Sequence, residues 1–240
     1  MGMGLSTRAA WDDPRIARGM EAQLELRREL LASGMKPLGW KLAFGGPAAM
    51  ERLKINAPLV GFLMDRAVVS SGSTISLDGW KKPAAEPELA VYMGKDVSPG
   101  ADRKTASDAI EALGPAIEIA DVTNPPEEVE QTLACDIYQR HVVIGKKDRT
   151  RARGILNDLR CIVSCGELEI EVPEDIQTLT GELIEIVQHT ANVLGAFGEK
   201  LRAGEILITG SMTPPISVSA GDKIDFTLSP IGSISVSFGK

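Results

Sequence analysis

Over residues 7–33 the chain repeats at helical spacing. Ile16, Met20, Leu24 and Leu31 lie near one stripe with Arg27, Leu30 stands beside it, and Gly34 supplies a stop. Packing is the role this predicts. The period then changes. L-G-W-K-L-A-F-G-G reads as a short strand ended by Gly45 and Gly46, with Lys41 on the face of Gly39 and Ala43, and Trp40 and Leu42 on the other. Residues 47–56 predict a short helix. P-L-V-G-F-L-M-D-R-A-V-V predicts a loop and strand interrupted by Asp65 and Arg66, and residues 70–79 a run of turns. Further on, residues 102–113 predict a helix, 121–132 an acidic loop with a short helix, 161–172 a strand and 179–197 a second long helix. The C-terminal part reads as short strands joined by Gly and Pro turns. Helices and strands mix without regular alternation, which predicts an α+β fold: a mixed, rolled, barrel-like β-sheet with flanking helices. A single domain over residues 1–240 is expected, with a helical segment at 1–38 and a β-roll core at 39–240.

Two strand-like segments carry the candidate chemistry. In P-A-A-E-P-E-L-A-V-Y-M, alternation puts Glu86 and Glu88 on one face with Ala90 and Tyr92, and Pro87, Leu89, Val91 and Met93 on the other. In P-A-I-E-I-A-D, Glu118 is fenced by Ile117 and Ile119, and only Ala116 and Ala120 share its face. Neighbouring carboxylates repel, and burying one is costly unless it is paired or binds a metal. Small residues around three carboxylates predict a cavity for a hard divalent cation, Mg2+ or Mn2+. The plainer reading is a solvated edge strand, where charge discourages aggregation. Lys41 likewise divides between a snorkelling surface lysine and a cation for an anionic substrate group. Later, Asp136, Tyr138, Arg140 and His141 crowd hydrogen-bonding side chains into a few positions ahead of V-V-I-G.

Composition narrows the partners. A net charge of −7 over 240 residues opposes nucleic-acid or anionic-membrane binding, and no apolar run approaches the ~20 residues that span a bilayer. Three cysteines, Cys135, Cys161 and Cys165, lack a zinc-type spacing and read as reduced thiols of a cytoplasmic protein. Two histidines, His141 and His189, exclude a histidine-rich metal site. Neither a Gly-rich phosphate loop nor G-x-S-x-G occurs. A homo-oligomer is expected.

With these pieces assembled, the chain resembles the fumarylacetoacetate hydrolase superfamily, in the branch of 2-keto-4-pentenoate hydratases and 4-oxalocrotonate decarboxylases. The ordered pieces are G-W-K-L, G-F-L-M-D, E-P-E-L-A, A-I-E-I-A-D, V-V-I-G, L-R-A-G-E, I-L-I-T-G-S, A-G-D-K and I-G-S-I-S-V-S-F, over about residues 39–238. The resemblance implies that Glu86, Glu88 and Glu118 hold Mg2+ or Mn2+. It implies that Lys41 and Asp65 serve the substrate and proton transfer, and that Thr209 lines the pocket. A departure accompanies it: where the hydratases carry an Asn-Ala-Ser-like segment, this chain has Asp136, Ile137, Tyr138, Gln139, Arg140 and His141. Tyr138, Arg140 and His141 are therefore expected to shape substrate choice. Hydrolases of the superfamily resemble one another in using a histidine near the start of the domain, and none precedes His141 here. The expectation is a metal-dependent hydratase acting on a small 2-keto acid such as a 2-hydroxy-dienoate, in catabolism of aromatic compounds. Decarboxylation and C–C hydrolysis are the alternatives within the superfamily, and a non-catalytic metal or acidic-ligand module is the alternative outside it.

Overall fold

Asp13 accepts the Arg15 amide at 2.8 Å ahead of Pro14, and this cap starts helix α1, Pro14–Ala32, in the computed structural model. The structure describes residues 9–240, so the helix expected from residue 7 begins, for residues 7 and 8, outside the described residues. Gly34, at φ +91°, follows the helix end. Ile16, Met20, Leu24 and Arg27 are buried as the stripe predicts. Gln23 joins them, its amide donating to the carbonyls of Val60 and Leu133. The Arg27 guanidinium lies 4.7 Å over the Trp40 ring and pairs with Glu199 at 3.2 Å.

After α1 come β1 (Pro37–Ala43), α2 (Pro47–Leu53), β2 (Leu59–Met64), β3 (Val68–Val69) and β4 (Thr74–Ser76). The middle of the chain holds β5 (Pro83–Met93), α3 (Arg103–Ala109), β6 (Ile110–Asp121), α4 (Val129–Ala134) and β7 (Gln139–Ile144). The remainder is β8 (Arg160–Cys165), β9 (Leu168–Ile170), α5 (Leu183–Ala196), β10 (Ile206–Ser211), β11 (Ile216–Ser217), β12 (Lys223–Ser229) and β13 (Gly232–Gly239). The main sheet runs β2-β1-β10-β5-β6-β7-β3, with β11 added on β5. A second sheet, β4-β13-β12-β8-β9, contributes Val163, Phe226, Ile234 and Val236 to the same buried core as Ile117, Ile119 and Val143.

The main sheet has to curl. Its two edges, β2 and β3, are separated in sequence only by residues 65–67, which reach at most ~14 Å. Six flat inter-strand steps would set those edges ~29 Å apart. Curling gives the sheet an outer face in the main core, with Trp40, Leu42, Leu89, Val91, Ile117 and Val143. Leu63, Ala90, Ala116, Val142, Ile206 and Ile208 form a smaller cluster on the inner face.

Two boundaries depart from the sequence reading. The helix expected over 102–113 stops at Ala109, and the second acidic strand starts at Ile110, ahead of the P-A-I-E-I-A-D segment. Ile110 and Ala112 pair with Met93 and Tyr92, so β6 extends along the full length of β5. Burial on both faces of β6 removes the polar alternation that would have marked it as a strand. The stretch 161–172 is a hairpin, β8 and β9, turning at Gly166 with φ +59°. The acidic loop ends in α4, whose Leu133 packs against Gly19 of α1. Among the described residues no helix is long and apolar enough to cross a membrane.

Gly39 is where β1 comes closest to β10. A Cβ there would meet the Ile206 carbonyl oxygen at 1.8 Å. Gly39→Ala is expected to cost about 3 kcal/mol by forcing this backbone contact apart, seen as a fall in Tm of roughly 6–12 °C. A variant melting with the wild type would show that the two strands do not pair as described.

Candidate active site

Strand register assembles the site. Glu86 lies opposite Glu118, Glu88 opposite Ala116, and Glu118 also faces Val142. Lys41 pairs with Ile208 of β10 and Gly61 of β2. Residues paired across strands share a face, so Glu86, Glu88, Glu118 and Lys41 all project to the inner face with Ala90, Ala116, Val142 and Ile208. The solvated-edge reading fails here: Lys41 is 1% exposed, Glu88 0% and Glu118 2%. Glu86 alone retains partial contact with solvent.

The Lys41 ammonium donates to the Glu118 carboxylate and, at 3.0 Å, to the Ile137 carbonyl. An ammonium carries three N–H groups, so one is left for a further acceptor. Glu88 is held from the other side. A bulge in β10 between Ile208 and Ser211 places Gly210 at φ +95°, and its N–H donates to Glu88 Oε2 at 2.7 Å. The other oxygen of Glu88, Oε1, is buried without a hydrogen-bond partner.

Asp136, noted in the sequence among four polar residues ahead of V-V-I-G but given no site role there, is a member of the cluster. Its Oδ1 accepts the Phe62 amide at 2.8 Å, on the side of β2 that faces away from β1. At Gly61 a Cβ would stand 2.9 Å from Asp136 Oδ1 and 3.0 Å from Lys41 Cγ, so the glycine makes room for both side chains. Asp136, Ile137 and Tyr138 take φ of +55°, +49° and +66° in succession. A left-handed turn of three non-glycine residues, one of them β-branched, is a steric outlier, and nothing in the residue types announces it.

Four carboxylates thus surround one ammonium. Burial, then the nearby Glu118 charge, raises the Glu86 carboxyl from an ordinary 4.5 to about 7. Burial, then the charges of Glu118 and Glu86, raises Glu88 well above the usual range, and burial does the same to Asp136. Desolvation opposes the charge on Lys41, but Glu118 and then Asp136 outweigh it and hold the ammonium above its usual value. Among the described residues no three carboxylates already converge as a metal cage, since Glu118 is drawn to Lys41. The donor set nevertheless fits a hard divalent cation. It is all oxygen, it carries excess negative charge, and Glu88 offers a buried oxygen that nothing else uses.

Other predicted residues fall elsewhere. Asp65 follows the end of β2, is exposed, and accepts the Lys36 amide at 2.9 Å. It lies four residues beyond Gly61, ~13 Å along the strand direction, so the structure does not bring it to Lys41. Thr209 is buried on β10 and lines a small cavity with Leu89, Gln177, Thr180 and Met212. The Tyr138 hydroxyl is engaged by the Asn124 carbonyl and Thr132 Oγ1, each at 2.9 Å. Arg140 reaches Asp121 at 3.4 Å and sits 5.7 Å over Trp80. His141 stacks on Trp80 at 6.0 Å and is paired with Ile119, hence on the face opposite Glu118. None of Tyr138, Arg140 and His141 makes a hydrogen bond or ion pair to Lys41 or the glutamates. The strand period and the turn send these side chains to other partners.

Comparison with known proteins agrees with this geometry. The family model for the fumarylacetoacetate (FAA) hydrolase C-terminal domain matches residues 43–238. A 2-hydroxyhexa-2,4-dienoate hydratase of Comamonas testosteroni is 28% identical over 228 residues, covering 90% of this chain and 83% of its own. A 4-oxalocrotonate decarboxylase of Pseudomonas putida is 26% identical, covering 90% and 83%. The solved 4-oxalocrotonate decarboxylase from Pseudomonas putida G7, complexed with magnesium and adipate, superposes with a TM-score of 0.84 at 24% identity, over 93% of this chain and 86% of that one. This chain belongs to the fumarylacetoacetate hydrolase family.

Proposed function

We propose that this chain is a hydro-lyase, a divalent-metal-dependent hydratase adding water to a 2-hydroxy-dienoate or 2-oxo-alkenoate. The observation that carries the reading is the cluster of buried Glu88, Glu118 and Asp136 and half-buried Glu86 about the Lys41 ammonium, with one N–H of that ammonium still to be used. Hydratase relatives that match nine-tenths of the chain support the reaction class.

Glu86, Glu88 and Glu118 would hold the metal, and Mg2+ or Mn2+ suits an all-oxygen set. Bound there, it supplies Lewis acidity toward the carboxylate and vicinal oxygen of a 2-oxo acid. Lys41 donates its remaining N–H to the same end of the substrate and neutralises its charge. Because Lys41, Glu88 and Glu118 are sealed from solvent, that contact forms at low dielectric, where it is strongest. Both histidines have structural positions: His141 lies on Trp80, and His189 Nε2 contacts the Pro58 carbonyl at 2.9 Å. No imidazole therefore stands in the cluster to activate water against an unconjugated carbonyl, which favours hydration of a conjugated alkene over C–C hydrolysis. Decarboxylation is the second reading, on the strength of the decarboxylase relatives.

With Mg2+ present, 2-hydroxypenta-2,4-dienoate is expected to lose its diene ultraviolet absorbance and yield a 4-hydroxy-2-oxo acid, and a chelator should stop this. Efficient cleavage of acylpyruvates with dienoates untouched would point to the hydrolase. CO2 released from a 2-oxo-enedioate, without hydration, would point to the decarboxylase. Metal binding without turnover of any 2-oxo acid would leave a binding module.

Lys41→Ala is expected to lower kcat/KM about 10²-fold or more, with Mg2+ affinity by calorimetry changed only a few-fold. Glu88→Gln should weaken Mg2+ binding at least about tenfold and reduce turnover with it. Unchanged affinity in Glu88→Gln would remove that residue from the metal set.

The pH dependence has a definite sign. Glu86 titrates at about 7 in the folded chain against an ordinary 4.5, so folding favours its protonated form. That stabilisation is complete below about 4.5 and is lost as pH rises through about 7, so the metal-free protein should become less stable across this window. A cation competes with the same proton, so Mg2+ affinity should rise over the window. Calorimetry showing affinity flat from pH 5 to pH 8 would count against Glu86 as a ligand.

A further inference from the structure

We infer that the left-handed turn of Asp136, Ile137 and Tyr138 is a positioning device for Lys41, with Asp136 as its latch. The inference rests on Lys41 serving the substrate as proposed above. It concerns how this chain places that lysine.

The turn is built to deliver one atom, the Ile137 carbonyl oxygen, 3.0 Å from Lys41 Nζ. A β-branched residue at φ +49° and ψ +47° is unfavourable by itself, so such a conformation persists only where its surroundings over-determine it. Three anchors do so here. Asp136 accepts the Phe62 N–H, which β2 leaves free on its outer edge. The Ile137 side chain is 2% exposed in the main core. The Tyr138 hydroxyl is held between Asn124 and Thr132 beside α4. Each anchor fixes a different residue of the turn, and their common result is the direction of a single carbonyl.

Gly61 supports the assignment from the opposite side. Its missing side chain lets the Asp136 carboxylate and the Lys41 stem lie together against β2. Lys41 is long and has four rotatable side-chain bonds, and Glu118 alone would not stop the ammonium from swinging about that one contact. Adding the Ile137 carbonyl fixes two of its three N–H directions and therefore aims the third. Asp136, Ile137 and Tyr138 thus act on the lysine and not on the substrate. Tyr138 is bulky because it secures the turn.

Asp136→Ala and Asp136→Asn separate this role from a merely structural one. Asparagine keeps an oxygen acceptor for Phe62 and tolerates the left-handed conformation best among non-glycine residues; alanine does neither. In folded protein, Asp136→Ala is expected to lower kcat about 10²-fold while Mg2+ affinity changes less than about threefold. Asp136→Asn should recover kcat to within about fivefold of wild type. A second readout does not depend on the reaction. In protein labelled with [15N]lysine, the buried Lys41 ammonium should give a slowly exchanging signal, assigned by its loss in Lys41→Met. That signal should persist in Asp136→Asn and be shifted or broadened away in Asp136→Ala. If no dienoate is hydrated by the wild type, the proposed function fails while the ammonium signal still tests the latch. If Asp136→Ala does not fold, Gly61→Ala, which crowds Asp136 and Lys41 apart, should disturb the same signal. A wild-type Lys41 signal in a folded Asp136→Ala or Gly61→Ala protein would overturn the inference. Equal damage in the alanine and asparagine variants would overturn it too, since charge and not the latch would then be responsible.

Discussion

Everything at the centre of this molecule depends on one buried ammonium. Glu86, Glu88, Glu118 and Asp136 are gathered on the inside of a curled sheet, and Lys41 is the cation that meets them there. Gathering carboxylates in a low dielectric is unfavourable, and removing one member of a buried pair typically costs ~3–5 kcal/mol because the other is left uncompensated. The Lys41–Glu118 contact makes the cluster tolerable, and the cluster in turn explains its surroundings. Alanines at 90, 116 and 120 leave room beside the carboxylates, Gly61 leaves room beside Lys41, and the bulge at Gly210 brings an N–H to Glu88. Even so the balance is incomplete. Four carboxylates stand against one ammonium; burial first, and the neighbouring carboxylate charges after it, push Glu86, Glu88 and Asp136 above the usual carboxylate range. A divalent cation held there as proposed would remove most of that excess, and its binding would be coupled to proton release.

The strained turn is affordable by the same reasoning. Three left-handed non-glycine residues cost ~1–2 kcal/mol each, or about 3–6 kcal/mol together. Against this stand one hydrogen bond at Asp136 and two at the Tyr138 hydroxyl, ~1 kcal/mol each. Burial of the Ile137 side chain adds ~2 kcal/mol. The two sides match to within a few kcal/mol. The turn is thus a local conformation that its own side chains keep in place, which is how a segment containing no glycine can point a carbonyl inward.

How much of this was legible in the sequence follows from what each residue needs. Glu86, Glu88 and Glu118 were readable because strand alternation alone decides which face they share, and the small residues beside them are visible in the chain itself. Lys41 was readable only with its partners, since alone it is indistinguishable from a surface lysine. The curl of the sheet had no local signal. It is imposed by the short link between β2 and β3, a fact of strand order that residue patterns do not carry. Asp65 and Asp136 failed in opposite directions. Asp65 completes an inviting run, G-F-L-M-D, yet strand geometry carries it past the end of β2 to the surface. Asp136 looked like one polar residue among several, because its importance rests on three positive φ angles in residues that rarely adopt them. Tyr138, Arg140 and His141 were conspicuous for chemistry and turned out to be committed to Asn124, Thr132, Asp121 and Trp80.

That commitment bears on how one scaffold serves several reactions. Hydratases and decarboxylases both occur among the relatives that match this chain along nearly its whole length. Under the proposed function, a metal-binding carboxylate set and a substrate-facing lysine would provide what both reactions share, which is stabilisation of negative charge developing on a 2-oxo acid. What differs must therefore lie in how the lysine is aimed and in what closes over the rest of the substrate. In this chain the first of these is assigned to a segment that touches Lys41 through a backbone carbonyl. A carbonyl carries no side-chain signature, so its position can be altered by changing the anchors around it while the inner-face residues stay the same. Under the proposed function, substitutions at Tyr138 would then re-aim the lysine without adding or removing a buried charge, which would give such a scaffold a route to new chemistry.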